Sequence, residues 1–175
     1  GAVTGRTSLR RTIVLILLGL LCCGTLSASK AAEEGIRLFM ENKPEEAVPM
    51  LRAAVEQEPQ RTELYMYLGV AYEQLGEYRQ AMETYRRALS GAGQKAAPLH
   101  HNIGTNLLRM GELEKAVEHF TEALQADGNY APAYLNRANT RVKLQQYEKA
   151  ITDYQIYLSL RADSRQKGNI QRMIA

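Results

Sequence analysis

The stretch YLGVAYEQLGEYRQAMETYRRAL, residues 67–89, decides the fold, because it carries two amphipathic helical patterns and breaks both with small residues. Glycine stands at 69 and 76, alanine at 81 and 88. A glycine inside a helix is about 1 kcal/mol less favourable than alanine, so each one needs a packing reason or a turn to occupy. Recurrence of the pattern supplies the reason. Gly35, Gly69, Gly104 and Ala138 stand 34, 35 and 34 residues apart, and Ala47, Ala81, Ala116 and Ala150 each follow twelve positions later. Four positions after those alanines come the large residues Leu51, Tyr85, Phe120 and Tyr154; three further on stand Ala54, Ala88, Ala123 and Tyr157. Self-similarity at this period marks a stacked array of helical hairpins.

Other residues fill in the frame. Leu64-Tyr65 and Ala133-Tyr134 open two of the first helices with an aromatic, Tyr72 takes the next large position in the second copy, and LGEY, MGEL and LQQY form the turns. With these residues in register the chain resembles the tetratricopeptide repeat family, whose pattern is an aromatic, Leu-Gly, Tyr, Ala, Phe or Tyr, Ala and Pro. The resemblance covers residues 30–162. It implies an all-α solenoid of about four helix-turn-helix repeats, wound into a right-handed superhelix with one concave groove. Small residues then belong where the two helices of a hairpin cross closely and a larger side chain would hold the backbones apart. Gly76 and Gly111 belong to the turns, where a positive φ carries no Cβ penalty. Seven tyrosines (65, 72, 78, 85, 134, 147 and 154) fall on signature positions and read as core and interface packing.

The copies are unequal. Repeat one, residues 28–61, has Ala31 and Glu34 where the family has an aromatic and a leucine, and its second helix contains Pro44 and Pro49. Pro44 suits a first helical position, but Pro49 removes a hydrogen bond within the opening turns, so a kink is expected there. Repeat two, 62–95, matches best, although SGAGQKAAP after it is one residue longer than the norm. Repeats three (97–130) and four (131–164) follow, with Gln145 in place of the turn glycine and Tyr157 in place of the last small alanine. Residues 163–175 start with Asp163 or Ser164 as an N-cap and continue as a capping helix with Ile170, Met173 and Ile174 on one face. With no stop signal before Ala175, that helix reads as truncated.

Residues 1–29 are a different material. Arg6, Arg10 and Arg11 precede an apolar or small run over 13–26, followed by small polar residues. Fourteen helical residues span about 21 Å against a hydrocarbon core of about 30 Å. The segment reads as a signal peptide cleaved after Ala28 or Ala31, or, extended through Ala28, as an N-terminal membrane anchor. Either places the repeats outside the cytoplasm, in a cell envelope of bacterial type, periplasmic or membrane-anchored. Cys22 and Cys23 are lipidation candidates, of the kind seen in an outer-surface lipoprotein, although Leu21 stands where that motif wants a small residue. The repeats contain no cysteine. The net charge of +3 equals the three leader arginines, since no acid precedes Glu33. A neutral remainder lacks the basic face that nucleic-acid binding needs, and no nucleic-acid partner is expected.

Catalytic constellations are missing from the sequence: there is no G-x-S-x-G, no phosphate-cradling glycine loop and no H-E-x-x-H. No enzymatic activity and no cofactor are expected. His100 and His101 point about 100° apart on a helix, and neither is followed by an acid or histidine at i+3 or i+4, so no metal site is expected. His100 takes the aromatic position of repeat three, a packing role. The family resemblance also implies which positions line the groove: Glu63, Met66, Tyr67, Val70 and Glu73; His101, Asn102, Thr105, Leu108 and Arg109; and Leu135, Asn136, Asn139, Val142 and Lys143. Asn102 and Asn136, one repeat apart, could hold an extended peptide through their carboxamides, with Met66, Val70, Leu108 and Leu135 as apolar lining. The carboxylate-gripping arrangement of chaperone-tail receptors is absent in either register. Repeats one to three offer Ala32, Ile36, Tyr67, Pro98 and Asn102, and repeats two to four offer Met66, Val70, Asn102, Pro132 and Asn136.

The functional expectation is therefore a protein–protein interaction scaffold that holds an extended segment of an envelope partner in its groove. Two alternatives stand beside it: a surface lipoprotein adhesin that contacts external molecules, and a carrier of a small apolar ligand on Met66, Val70 and Leu135. Self-association through the face near Ile170 and Ile174 is compatible with each.

Overall fold

A computed structural model describes residues 30–175, and every regular element among them is helical. Helix α1 covers 30–40, followed by α2 (Pro44–Gln57), α3 (Thr62–Gln74), α4 (Tyr78–Leu89), α5 (Ala96–Arg109), α6 (Leu113–Ala126), α7 (Ala131–Lys143), α8 (Tyr147–Leu160) and α9 (Lys167–Ile174). From α2 onward each helix packs on the next, and α5 also touches α7. The leader and the two cysteines lie outside the described residues. No helix within them is long and apolar enough to cross a membrane.

Close crossings set the spacing of each hairpin. A Cβ placed on Gly69 would lie 2.2 Å from Tyr85 Cε1, one on Gly104 2.7 Å from Phe120 Cε1, and one on Gly35 2.9 Å from Leu51 Cδ2. Leu51, Tyr85 and Phe120 are fully buried, so none can swing aside into solvent. In repeat four Ala138 takes the corresponding place and is itself fully buried.

The four hairpin turns share one backbone device. Asn42 (φ 57°), Gly76 (75°), Gly111 (80°) and Gln145 (59°) all adopt the left-handed conformation. In each turn the next amide reaches back to a carbonyl five residues earlier: Lys43 to Leu38, Glu77 to Tyr72, Glu112 to Leu107 and Gln146 to Arg141, at 2.8–3.0 Å. This is a Schellman closure, which satisfies carbonyls left open at the helix end. Gln145 thus adopts a glycine's conformation without being one. The longer spacing between Gly69 and Gly104 is absorbed by residues 90–95, which include a single 3-10 turn at Gly93–Lys95.

Helix α2 continues through Pro49, whose ring is exposed; the carbonyl that loses its partner belongs to Glu45, also exposed and open to water. Two expectations need correction. Helix α9 starts at Lys167, not at Asp163 or Ser164. Ser164 instead serves a preceding turn: its Oγ lies 2.9 Å from the Tyr157 hydroxyl and accepts from the Gln166 amide at 3.2 Å. Tyr157, the large residue in an alanine position, thereby ties the end of α8 to the loop and delays the next helix. Tyr147, finally, is 56% exposed and does not pack in the core.

Two apolar clusters result. One runs from Ala32 to Phe120 across the first three hairpins; the other joins Ala131, Ala138, Ala150, Tyr154, Tyr157 and Ile170 at the C-terminal end. Ile170 plugs the second cluster, Ile174 packs at its edge, and Met173 is exposed.

Candidate functional site

The first helices of successive hairpins, α1, α3, α5 and α7, are joined by side-chain contacts between neighbours. Phe39 and Tyr67 rings meet at 5.2 Å between α1 and α3. Between α3 and α5, Glu73 accepts from Asn106 Nδ2 at 2.8 Å and from Arg109 at 3.4 Å. Between α5 and α7, Asn136 Nδ2 donates to His101 Nε2 at 2.9 Å and approaches Thr105 Oγ1 at 3.5 Å. Of the expected lining residues, Glu73 is thus brought to Arg109, and Asn136 to His101 and Thr105, while Tyr67 meets Phe39.

Several of them are structural anchors. Glu73 is half-buried and also accepts the Tyr85 hydroxyl at 2.9 Å. Burial, with the Glu73 carboxylate beside it, pushes the Tyr85 hydroxyl up, so it stays a donor. Thr105 donates to the His101 carbonyl at 2.9 Å, and Asn139 Oδ1 accepts the Tyr154 hydroxyl at 2.7 Å. Met66 and Leu108 are partly buried against the larger cluster, and Leu135 against the smaller. Val70 is half-buried, and Val142 is exposed.

His101 is the hub. Its ring sits 5.7 Å from Phe120 and meets Tyr130 edge-on at 5.4 Å. Because Nε2 receives the Asn136 amide, the proton sits on Nδ1, which donates to Asn102 Oδ1 at 3.3 Å. Burial pushes the imidazole below its ordinary value, opposed by its bond to Asn102 and by Glu73, so the neutral ring is the resident form.

Sequence spacing missed Tyr130 and Asn106, whose partners lie a hairpin away, and it missed an ion cluster on α7 and α8. Arg137 forks onto both oxygens of buried Asp153 at 2.7 and 2.9 Å, and Arg141 adds a third contact at 2.6 Å. Arg137 also donates to Thr121 of α6 at 3.0 Å. A third grouping, His100, His119 and Glu122, brings its ligating atoms within 4.8 Å of one another. Among the cavities, one of about 330 Å³ lies at the C-terminal end between Val142, Tyr147, Ile151, Tyr154 and Met173. It involves neither Met66 nor Leu135.

Family models for the tetratricopeptide repeat match residues 33–98 and 107–165, and the chain belongs to that family. Such arrays generally mediate protein–protein interaction. Among curated relatives, a probable UDP-N-acetylglucosamine–peptide N-acetylglucosaminyltransferase SPINDLY of Hordeum vulgare is 29% identical over 70% of this chain. The chain spans only 14% of that protein's length. Among solved structures, MamA from Desulfovibrio magneticus superposes with a TM-score of 0.72 at 21% identity, covering 84% of this chain and 83% of that one. YrrB, described as a TPR protein with an unusual peptide-binding site, superposes at 0.70 with 19% identity, covering 83% and 74%. At these identities the likeness establishes the fold.

Proposed function

We propose that this protein is a binding scaffold without chemistry of its own, and that the surface formed by α3, α5 and α7 holds an extended segment of a partner protein. The observation that carries this reading is the set of half-buried side chains on these three helices, where the carboxamides of Asn102 and Asn136 accompany Met66, Val70, Leu108 and Leu135. An extended peptide is held by such a mixture: carboxamides for its backbone and apolar contacts for its side chains. The peptide-binding site described for YrrB supports the same use of the fold. The export reading of residues 1–29 would place this scaffold in the cell envelope, attached to the membrane if the leader is retained or if Cys22 or Cys23 is lipidated.

Peptides selected from a random display library against the full chain test the reading, with binding compared between the parent and Asn102→Ala/Leu135→Ala. A drop of tenfold or more in affinity, with helicity retained, is the expected result. Equal binding by both proteins would remove the groove from consideration.

A further inference from the structure

The grouping outside the groove has the composition and the convergence of a metal centre. His119 and Glu122 stand three residues apart on α6 and so share a face; α5, packed against α6, delivers His100 to the same point. His100 Nδ1 and His119 Nδ1 are 3.2 Å apart, and Glu122 Oε2 lies 2.9 Å from the first and 2.8 Å from the second. Three donor atoms thus form a nearly equilateral triangle.

Hydrogen bonding alone satisfies this triangle poorly. One carboxylate oxygen can accept from both rings, but the two imidazole N–H groups then lie side by side with like ends together. If one ring turns its lone pair inward instead, that lone pair faces the carboxylate. A cation at the centre removes both conflicts, because all three atoms then offer lone pairs to one positive charge. With ligand distances of about 2.0–2.1 Å, a tetrahedral ion separates its ligand atoms by about 3.3–3.4 Å. The observed edges are therefore a few tenths of an ångström short, and the exposed Glu122 side chain can supply that expansion.

Charge and access agree with this reading. The two imidazoles are about one-fifth exposed, enough for an ion to enter, and the carboxylate is about half exposed. Glu122 brings one negative charge to the point where the two rings converge. Two imidazoles and one carboxylate suit borderline ions such as Zn²⁺, not the hard, all-oxygen preference of Mg²⁺ or Ca²⁺.

We infer that His100, His119 and Glu122 form a Zn²⁺ site that clips α5 to α6, with water in the fourth position. Binding there would make the stability of the third hairpin depend on metal, since the site exists only in the folded chain.

The test uses the full chain after chelation, titrated with Co²⁺ as the coloured substitute and then with Zn²⁺. Expected is one equivalent of Co²⁺ with visible ligand-field absorption, displacement by Zn²⁺, and a rise in Tm of about 5 °C or more that a chelator reverses. His119→Gln and Glu122→Gln, each checked for helicity, should bind at least tenfold more weakly. Cys22→Ser/Cys23→Ser should bind as the parent does. Three results would overturn the site: no absorption or Tm shift at millimolar metal, equal binding by the α6 variants, or binding that disappears with the cysteines.

Discussion

Replacing Gly69 by alanine tests the crossing argument at its tightest point. The added methyl would lie 2.2 Å from Tyr85 Cε1 and 2.3 Å from Cζ, well inside contact distance. Tyr85 is fully buried and its hydroxyl is committed to Glu73 at 2.9 Å, so the ring cannot move without losing that bond. Overpacking of a dense core costs about 1–3 kcal/mol, and a hydrogen bond to a charged group is worth about 1.5–3 kcal/mol. The better helix propensity of alanine returns about 1 kcal/mol. The net is about 1.5–5 kcal/mol of destabilisation. Gly104→Ala meets Phe120 Cε1 at 2.7 Å with no hydrogen bond at stake, so the same sum without that term gives about 0–2 kcal/mol. Urea unfolding followed by far-UV circular dichroism measures both. Tyr85→Leu, which places at this crossing the leucine found at position 51, should recover part of the loss in the Gly69→Ala background. A neutral Gly69→Ala, or one no worse than Gly104→Ala, would refute the steric account.

Gln145→Gly should raise stability by about 0.5–1 kcal/mol, because the left-handed conformation costs a side-chain-bearing residue about 1–2 kcal/mol and glycine's extra unfolded-state entropy takes back part; thermal melts of the two proteins decide it. Asp153→Ala should cost about 3–5 kcal/mol, since it strands Arg137 and Arg141 without their shared buried partner, and denaturant unfolding reads the loss. His101 binds its proton less readily when folded than its ordinary value of 6.5. The unfolded chain therefore takes up the proton first, and stability is complete above about pH 6.5 and falls as the pH drops toward the lowered folded value. His101→Gln should flatten that slope between pH 6.5 and 5, as seen in Tm measured across the range.

The repeat period and the small-residue crossings were legible because both are fixed by a few residues at constant spacing along the chain. Positive φ at Gly76 and Gly111 followed from the same reasoning. Gln145 adopting it as well shows that the turn geometry belongs to the repeat, with the local residue bearing the strain. Helix boundaries were harder where a tertiary contact intervened: nothing local in DSRQKG reveals that Tyr157 holds Ser164 and shifts the start of α9 to Lys167. The metal-type grouping is invisible to a spacing rule read from His100 and His101 alone. The i, i+3 pair is His119 with Glu122, and its third member arrives from another helix.

The polar residues that join successive first helices also fix geometry. Apolar packing between adjacent hairpins tolerates small rotations, whereas a bond such as Asn136 to His101 or Asn106 to Glu73 is directional and fixes the angle between successive first helices. Those angles set the curvature of the surface that a partner would meet. The apolar clusters divide between α6 and α7, so across that join Arg137 with Thr121 and Asn136 with His101 carry much of the specification. A residue can thus matter for binding without touching a ligand. Substituting His101 or Asn136 would change the shape of the surface and its chemistry together, and a loss of binding there would not separate the two. Asn102 and Leu135 lie on α5 and α7 with no hydrogen bond from either side chain to a neighbouring first helix. Their removal leaves the Asn136–His101 bond itself present, but Asn102 also accepts from His101 Nδ1, so the comparison is read only where helicity and Tm match the parent.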